Sequence, residues 1–369
     1  MNRISQRAGL AYRVVRRQFG AWLSPLVTAL LFMGLRLGVA LGQRLDVLFF
    51  KSFRSAVVRS PIIIVGNPRT GTTFLQRFLH DSKIGCGQEL WRMLYPSLTL
   101  QWFIKPFIPV LEIISPARHH STVAHDTSLT SVETDDVSVF FRYLDGFFLY
   151  GFILAHAEED LIDLVDVRHR DTSKRDFDWL DSLWRRSMVS HNSERIVAKL
   201  FSLGPRLPQF IERFPDAKIL YMVRDPVSVI PSGLSLVTGV LDKRFGFWSL
   251  PESDRHRYCQ RLYQALVELL RRFHEDWNTG KISKEHVFIV PFPQLMTDFE
   301  GLMGSLLQFV GHTPDAALLE RIAKQAEKQR TYQSKHRYDL LKFGLTEAQI
   351  RQDCAFVYDT FLGDETTKS

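Results

Sequence analysis

The sequence predicts an α/β fold: a mainly parallel sheet flanked by helices, with a helical insertion between about residues 90 and 190 and a helical N-terminal region. Three observations predict it. Apolar runs at 62–65, 196–200, 219–223 and 287–290 are short and nearly continuous, as in strands buried on both faces. Segments with apolar residues at helical spacing follow these runs, at 72–80, 207–214, 226 onward and 293–310. Between the first two runs, patches of helical character replace strand signals.

The first run opens the stretch on which the rest depends, Pro61-Ile-Ile-Ile-Val-Gly-Asn-Pro-Arg-Thr-Gly-Thr-Thr-Phe-Leu75. Gly66, Pro68 and Gly71 break the apolar pattern, and Phe74, Leu75, Phe78 and Leu79 resume it on one helical side. A strand, a glycine-containing turn and a helix N-terminus make an anion site, because unpaired N–H groups and the positive helix end converge there. Thr70, Thr72 and Thr73 are expected to add hydroxyl donors. The pattern Gly66-x-x-x-x-Gly71-Thr72-Thr73 is P-loop-like, but threonine stands where the phosphate loop of nucleotide triphosphatases needs lysine. The basic residue has moved inside the loop, to Arg69.

The net charge of +7 is unevenly spread. Residues 1–60 hold ten of the 47 Lys and Arg residues and a single acid, Asp46, a balance of +9 that leaves the remaining 309 residues at −2. The basic character belongs to the N-terminal region, which argues against a nucleic-acid-binding body. That region begins Arg-rich and runs into a mostly apolar stretch, 20–42, interrupted by Pro25 and Arg36. Arg36 is costly within a membrane span. The region reads as amphipathic helices on an anionic membrane surface. A pair of helices packed on the body, or an N-terminal anchor, are the other readings. Three scattered cysteines and the absence of any Asn-x-Ser/Thr sequon lean toward a cytoplasmic catalytic domain, residues 61–369.

Downstream, Ile84-Gly-Cys-Gly-Gln-Glu-Leu-Trp91 delivers Glu89 near a glycine-rich turn, where a carboxylate is suited to take a proton from a hydroxyl. Residues 94–114 are apolar and aromatic, with Pro96, Pro106 and Pro109 preventing one long helix. They suit an acceptor pocket, a membrane contact or plain core. Arg118-His-His120, His125 and Glu133-Thr-Asp-Asp136 follow; their spacing matches no familiar metal-ligand pattern, and the acids read most simply as a solvated helix N-terminus.

A second anion motif lies at the end of the third apolar run, Arg224-Asp-Pro-Val-Ser-Val-Ile-Pro-Ser232. Asp225 suits an N-cap and Pro226 the first helical position. Arg224 is a planar, multidentate phosphate donor at a strand end, and Ser232 returns toward it on the helix. Pro231 is expected to kink or shorten that helix.

Residues 68–75 and 224–232 together resemble the 5′-phosphosulfate and 3′-phosphate motifs of sulfotransferases that use 3′-phosphoadenosine 5′-phosphosulfate (PAPS), particularly tyrosylprotein sulfotransferases and their bacterial relatives. The resemblance covers about residues 61–360. It implies that Arg69, Thr70, Gly71, Thr72 and Thr73 hold the 5′-phosphosulfate, and Arg224 and Ser232 the 3′-phosphate. Cys86-Gly-Gln-Glu89 is similar to the family's Cys-Gly-Glu-Glu segment, which makes Glu89 the base; Gln88 departs from the pattern. Glu133, Asp135 and Asp136 match an acidic segment of the bacterial members and are alternative acceptor-orienting groups. Lys199 matches the strand-end lysine that stabilises charge growing on the departing oxygen. Tyr332-Gln-Ser-Lys-His-Arg-Tyr338 is similar to the segment that closes over the nucleotide, with Lys335 as a phosphate ligand. Pro291-Phe-Pro-Gln-Leu295 departs from the family's Tyr-Glu-Asp-Leu-like sequence. The implied reaction takes a sulfuryl group from PAPS to a hydroxyl acceptor, small-molecule or lipid, with no metal. The rival readings are a P-loop kinase or NTPase, opposed by the missing lysine, and a nucleotide-binding membrane protein without catalysis.

Overall fold

The computed structural model describes residues 3–114, 127–331 and 339–363. Four strands, β1 (Ile62–Val65), β2 (Val197–Lys199), β3 (Lys218–Val223) and β4 (Val287–Pro291), form one sheet in the order β2-β1-β3-β4. Every pairing is parallel, as the apolar runs predict, with Ile64 opposite Lys199 on one side and Leu220 on the other. Ile62, Ile63 and Ile64 are fully buried, each worth about 1.5–3 kcal/mol by transfer from water. The second strand is shorter than the run 196–200; Ile196 instead makes an isolated parallel bridge to Cys86.

The chain divides into two compact units. One, residues 59–86, 195–235 and 263–369, holds the sheet. After β1, the Thr72–Asp81 helix buries Leu75, Phe78 and Leu79 in a core shared with Leu302, Leu306 and Val310. The Pro226–Phe245 helix, 20 residues in all, does not stop at Pro231 but continues to Phe245, so of the expected kink or shortening the shortening does not occur.

The other unit, residues 1–58, 87–194 and 236–262, is helical. The N-terminal region is helical, as expected, with two long helices, Ile4–Phe19 and Leu23–Phe49, and a short one, Lys51–Ser55. Pro25 sits in the first turn of the second helix, where a missing N–H is harmless. Arg36 donates from Nε and Nη2 to the Phe141 carbonyl at 3.2 and 2.9 Å. Arg7, buried on the first helix, donates to the carbonyls of Tyr143 and Leu144 and lies 3.6 Å from Asp145. Asp46 is fully buried and accepts from Ser97, Leu98, Thr99 and Arg186. These polar ties fasten both helices to the unit's remaining chain. The prolines divide 94–114 as expected, into helices Leu98–Ile104 and Ile108–Ile114 joined by a tight turn at Lys105–Phe107.

Candidate functional site

The loop between β1 and the Thr72–Asp81 helix is shaped by three left-handed residues. Gly66 has φ 141°, and a Cβ there would lie 2.7 Å from the Met222 carbonyl oxygen, so only glycine lets β1 leave the sheet this close to β3. Gly71, φ 93°, turns the chain into the helix. Arg69 has φ 78°, an uncommon conformation for a residue with a Cβ. Asn67 braces the turn: its Nδ2 donates to Leu266 O at 3.0 Å, and its carbonyl accepts from the Thr70 hydroxyl at 2.8 Å. The Thr70 hydroxyl proton is therefore committed inside the loop. This corrects the expectation of three outward hydroxyl donors, leaving Thr72 and Thr73.

Parallel pairing brings basic residues from three adjacent strands to the carboxyl end of the sheet, where α/β folds bind ligands. Lys199, at the end of β2, is buried and donates from Nζ to Thr73 Oγ1 at 2.9 Å. Arg69 Nε donates to Ser232 Oγ at 2.9 Å. Arg224, just past β3, donates from Nη1 to the Arg69 carbonyl at 2.9 Å, and its guanidinium lies 4.0 Å over the Phe292 ring. Arg69, Arg224 and Ser232 thus form one connected cluster. Asp225 caps the following helix, as expected, by accepting from Val227 N and Ser228 Oγ; Tyr358 also donates to it. Three cationic side chains beside a helix N-terminus form a site for a multiply charged anion.

Glu89 belongs to the helical unit. It precedes the Leu90–Leu94 helix and makes an antiparallel bridge to Val132. Its Oε2 accepts from Arg92 Nε and lies 3.1 Å from His191 Nε2. Arg92 also donates to Gln101 and Ser190. Burial alone would raise the Glu89 carboxyl, but the His191 hydrogen bond and the Arg92 charge outweigh it and hold the group below the usual carboxylate range. Glu89 is thus a carboxylate at neutral pH, anchored through one oxygen. Beside it, Gln88 is fully buried with no partner for either amide atom among the described residues.

The acids of 133–136 are not a solvated helix end. Glu133, Asp135 and Asp136 are all buried; Asp135 accepts from Trp184 Nε1 and Asp136 from Thr134 Oγ1. Lys335 and the rest of 332–338, like His119, His120 and His125, lie outside the described residues. Among the described residues no group of three or more His, Cys, Asp or Glu is placed to hold a metal ion. Sequence reasoning missed Phe292, Tyr358, Arg92 and His191. Arg92 carried a signal, standing three residues from Glu89 on a short helix; His191, about a hundred residues away, carried none.

Comparisons with known proteins bear on the fold and the family. The curated omega-hydroxy-beta-dihydromenaquinone-9 sulfotransferase Stf3 of Mycobacterium bovis (strain ATCC BAA-935 / AF2122/97) is 24% identical over 263 residues, 70% of this chain and 64% of that protein. The protein of the same name from Mycobacterium tuberculosis (strain CDC 1551 / Oshkosh) matches equally. The match thus spans just under two thirds of these relatives' length. In fold, the chain resembles sulfotransferase STF1 from Mycobacterium tuberculosis H37Rv, with a TM-score of 0.68 at 18% identity over 95% of this chain and 92% of that one. It also resembles sulfotransferase STF9 from Mycobacterium avium, with a TM-score of 0.67 at 17% identity over 86% and 81%. The sulfotransferase family profile matches residues 61–315, more than half of the sequence, and the chain belongs to that family.

Proposed function

We propose that this protein moves a sulfuryl group from PAPS to a hydroxyl acceptor. One observation carries the reading: the Arg224 guanidinium reaches the Arg69 backbone while the Arg69 side chain reaches Ser232, so both anion motifs act in one cluster. PAPS, when bound, supplies the sulfuryl group and the phosphate leaving group. Gly71, Thr72 and Thr73 hold its 5′-phosphosulfate with helix-end amides and two hydroxyls, aided by Arg69; Thr70 keeps the loop shaped for this. Arg224 and Ser232 hold the 3′-phosphate, with Lys335 joining them. Glu89 accepts the acceptor's proton as the new S–O bond forms. Lys199 neutralises the phosphate oxygen that keeps the electron pair of the breaking S–O bond. The products are a sulfate ester and adenosine 3′,5′-bisphosphate. Positioning and fixed charge dominate such in-line transfer.

The acceptor we propose is a lipid-like alcohol. The curated relatives are named for an omega-hydroxy menaquinone, and this chain carries a long apolar helix at its N-terminal end. We place the catalytic domain in the cytoplasm, held at the membrane surface through residues 1–60.

Thermal shift with PAPS and with Mg-ATP tests the donor: PAPS raises the melting temperature and Mg-ATP does not. The reverse result makes the protein a nucleotide triphosphate enzyme and ends the proposal. Lipid extracts incubated with protein and PAPS then show a species heavier by one sulfate.

A further inference from the structure

Among the described residues, the helical unit exposes apolar surface that no other part of the chain covers. On the Leu23–Phe49 helix, Leu23, Leu26, Val27, Leu30, Leu31 and Met33 are all exposed, and only 11% of the most apolar stretch is buried. A second exposed face lies outside the N-terminal region. Trp102 (70% exposed), Phe103, Phe107 (62%), Val110 and Ile113 (64%) form one stripe along the Leu98–Ile104 and Ile108–Ile114 helices. The opposite side of these helices is the covered one, where Ile108 packs with Trp91 and Leu129, and Ile104 and Leu111 lie against them. The two faces belong to one packed pair, because Asp46 on the long helix accepts from Ser97, Leu98 and Thr99 at the start of the other.

We infer that these two faces together form a docking surface for an anionic phospholipid bilayer, entering one leaflet rather than crossing it. Charge selects the occupant. Arg13, Arg16, Arg17, Arg44, Lys51 and Arg54 are exposed, while the region's single acid, Asp46, is fully buried. The aromatic stripe carries exposed Lys105, and its one acid, Glu112, is turned to the Leu129 N–H at 2.8 Å. Cations predominate at the edge of this apolar face, although Arg17 pairs with exposed Glu158 at 3.2 Å, and a mainly cationic edge matches anionic headgroups. Exposure on every side of residues 26–31 suits surrounding lipid better than a one-sided protein groove. Trp22 and Trp102 supply the amphipathic rings favoured at the headgroup level.

Depth follows from the polar ties. From Arg36 onward the long helix is held by Phe141 O, by Pro96 O through Gln43, and by the Asp46 cluster. The untied part, residues 23–35, is about 20 Å long at 1.5 Å per residue, short of the roughly 30 Å hydrocarbon core. It reaches into one leaflet.

The inference extends the membrane contact proposed for residues 1–60 to a second element, and it does not depend on sulfuryl transfer. The test uses vesicles of phosphatidylcholine with about a quarter phosphatidylglycerol. An environment-sensitive dye is placed at Leu30→Cys, at Phe103→Cys, and at Glu320→Cys as a control; the three native cysteines are buried. Dyes at 30 and 103 shift to the blue on adding vesicles and the dye at 320 does not. Trp102→Ser with Phe103→Ser lowers partitioning about tenfold or more, and salt lowers it further. A dye at 103 that stays in water while the protein pellets with vesicles overturns the two-element surface. So does failure to pellet, or a dimer formed without vesicles that the double substitution dissolves, which would make a second copy the occupant. Arg224→Ala keeps wild-type vesicle binding, so a failed sulfotransferase reading leaves this result interpretable.

Discussion

The guanidinium of Arg224 donates at 2.9 Å to the backbone carbonyl of Arg69, tying the end of β3 to the loop that follows β1. The bond gives Arg224 two roles, as ligand for an anion and as brace for the loop. Lysine at 224 is a compact point charge without the planar fork that serves carbonyl and phosphate together. Arg224→Lys is therefore expected to lower kcat/KM for PAPS by about a hundredfold, and Arg224→Ala by more. Titration calorimetry with adenosine 3′,5′-bisphosphate checks the binding share; affinity unchanged in Arg224→Ala removes Arg224 from the nucleotide site.

Arg69 holds a left-handed backbone, φ 78°, beneath a side chain that donates to Ser232. Glycine adopts that conformation freely, so Arg69→Gly relieves strain of about 1 kcal/mol while deleting the guanidinium. The expected outcome is a ligand-free protein at least as thermostable as wild type that no longer gains melting temperature from PAPS. A clear loss of ligand-free stability would mean that the Ser232 bond outweighs the strain.

These two residues also mark how much was legible in the sequence. The strands announced themselves as apolar runs, because a strand buried on both faces has no polar alternation. Gly66 and Gly71 announced the loop, because few other residues fit there. Partners across the chain left no such trace. Phe292 under Arg224, and His191 beside Glu89, meet their neighbours only once the fold exists. Polar residues were misread for the same reason. The acids at 133–136 looked solvated because a donor such as Trp184, 49 residues beyond Asp135, leaves no local trace. Arg36 looked like an interruption of an apolar helix because its acceptor, the Phe141 carbonyl, lies about a hundred residues on.

The Glu89 carboxyl, held down by His191 and Arg92 against the upward push of burial, is ionised throughout the neutral range. Glu89→Gln keeps the shape and removes the proton acceptor. Turnover is expected to fall about a hundredfold or more, with PAPS affinity kept. Turnover within a few-fold of wild type would reject Glu89 as the base. The lowered group also fixes a sign: its stabilising contribution is fully present above the unfolded carboxyl value and is lost as pH falls through the folded one. Glu89→Gln should therefore lose less stability than wild type between neutral pH and about pH 3.

His156 makes the opposite kind of pH argument. Its ring is buried, stacked on Tyr258 at a centroid distance of 4.0 Å and edge-on to Phe19 at 5.0 Å. Neither ring nitrogen has a hydrogen-bond partner among the described residues. Burial, with help from the Arg257 charge and against that of Asp254, pushes the imidazole down from 6.5 to about 3. The folded chain keeps His156 neutral where the unfolded chain protonates it, so its contribution stands above the unfolded value and is lost as pH falls from 6.5 toward 3. Phenylalanine preserves the ring contacts and has no proton to bind. Melting temperatures of wild type and His156→Phe, measured from pH 7 to about pH 4.5, should diverge as acid is added, with the variant falling less. Parallel curves would show that His156 takes up its proton in the folded protein as readily as in the unfolded chain, and that burial does not hold it neutral.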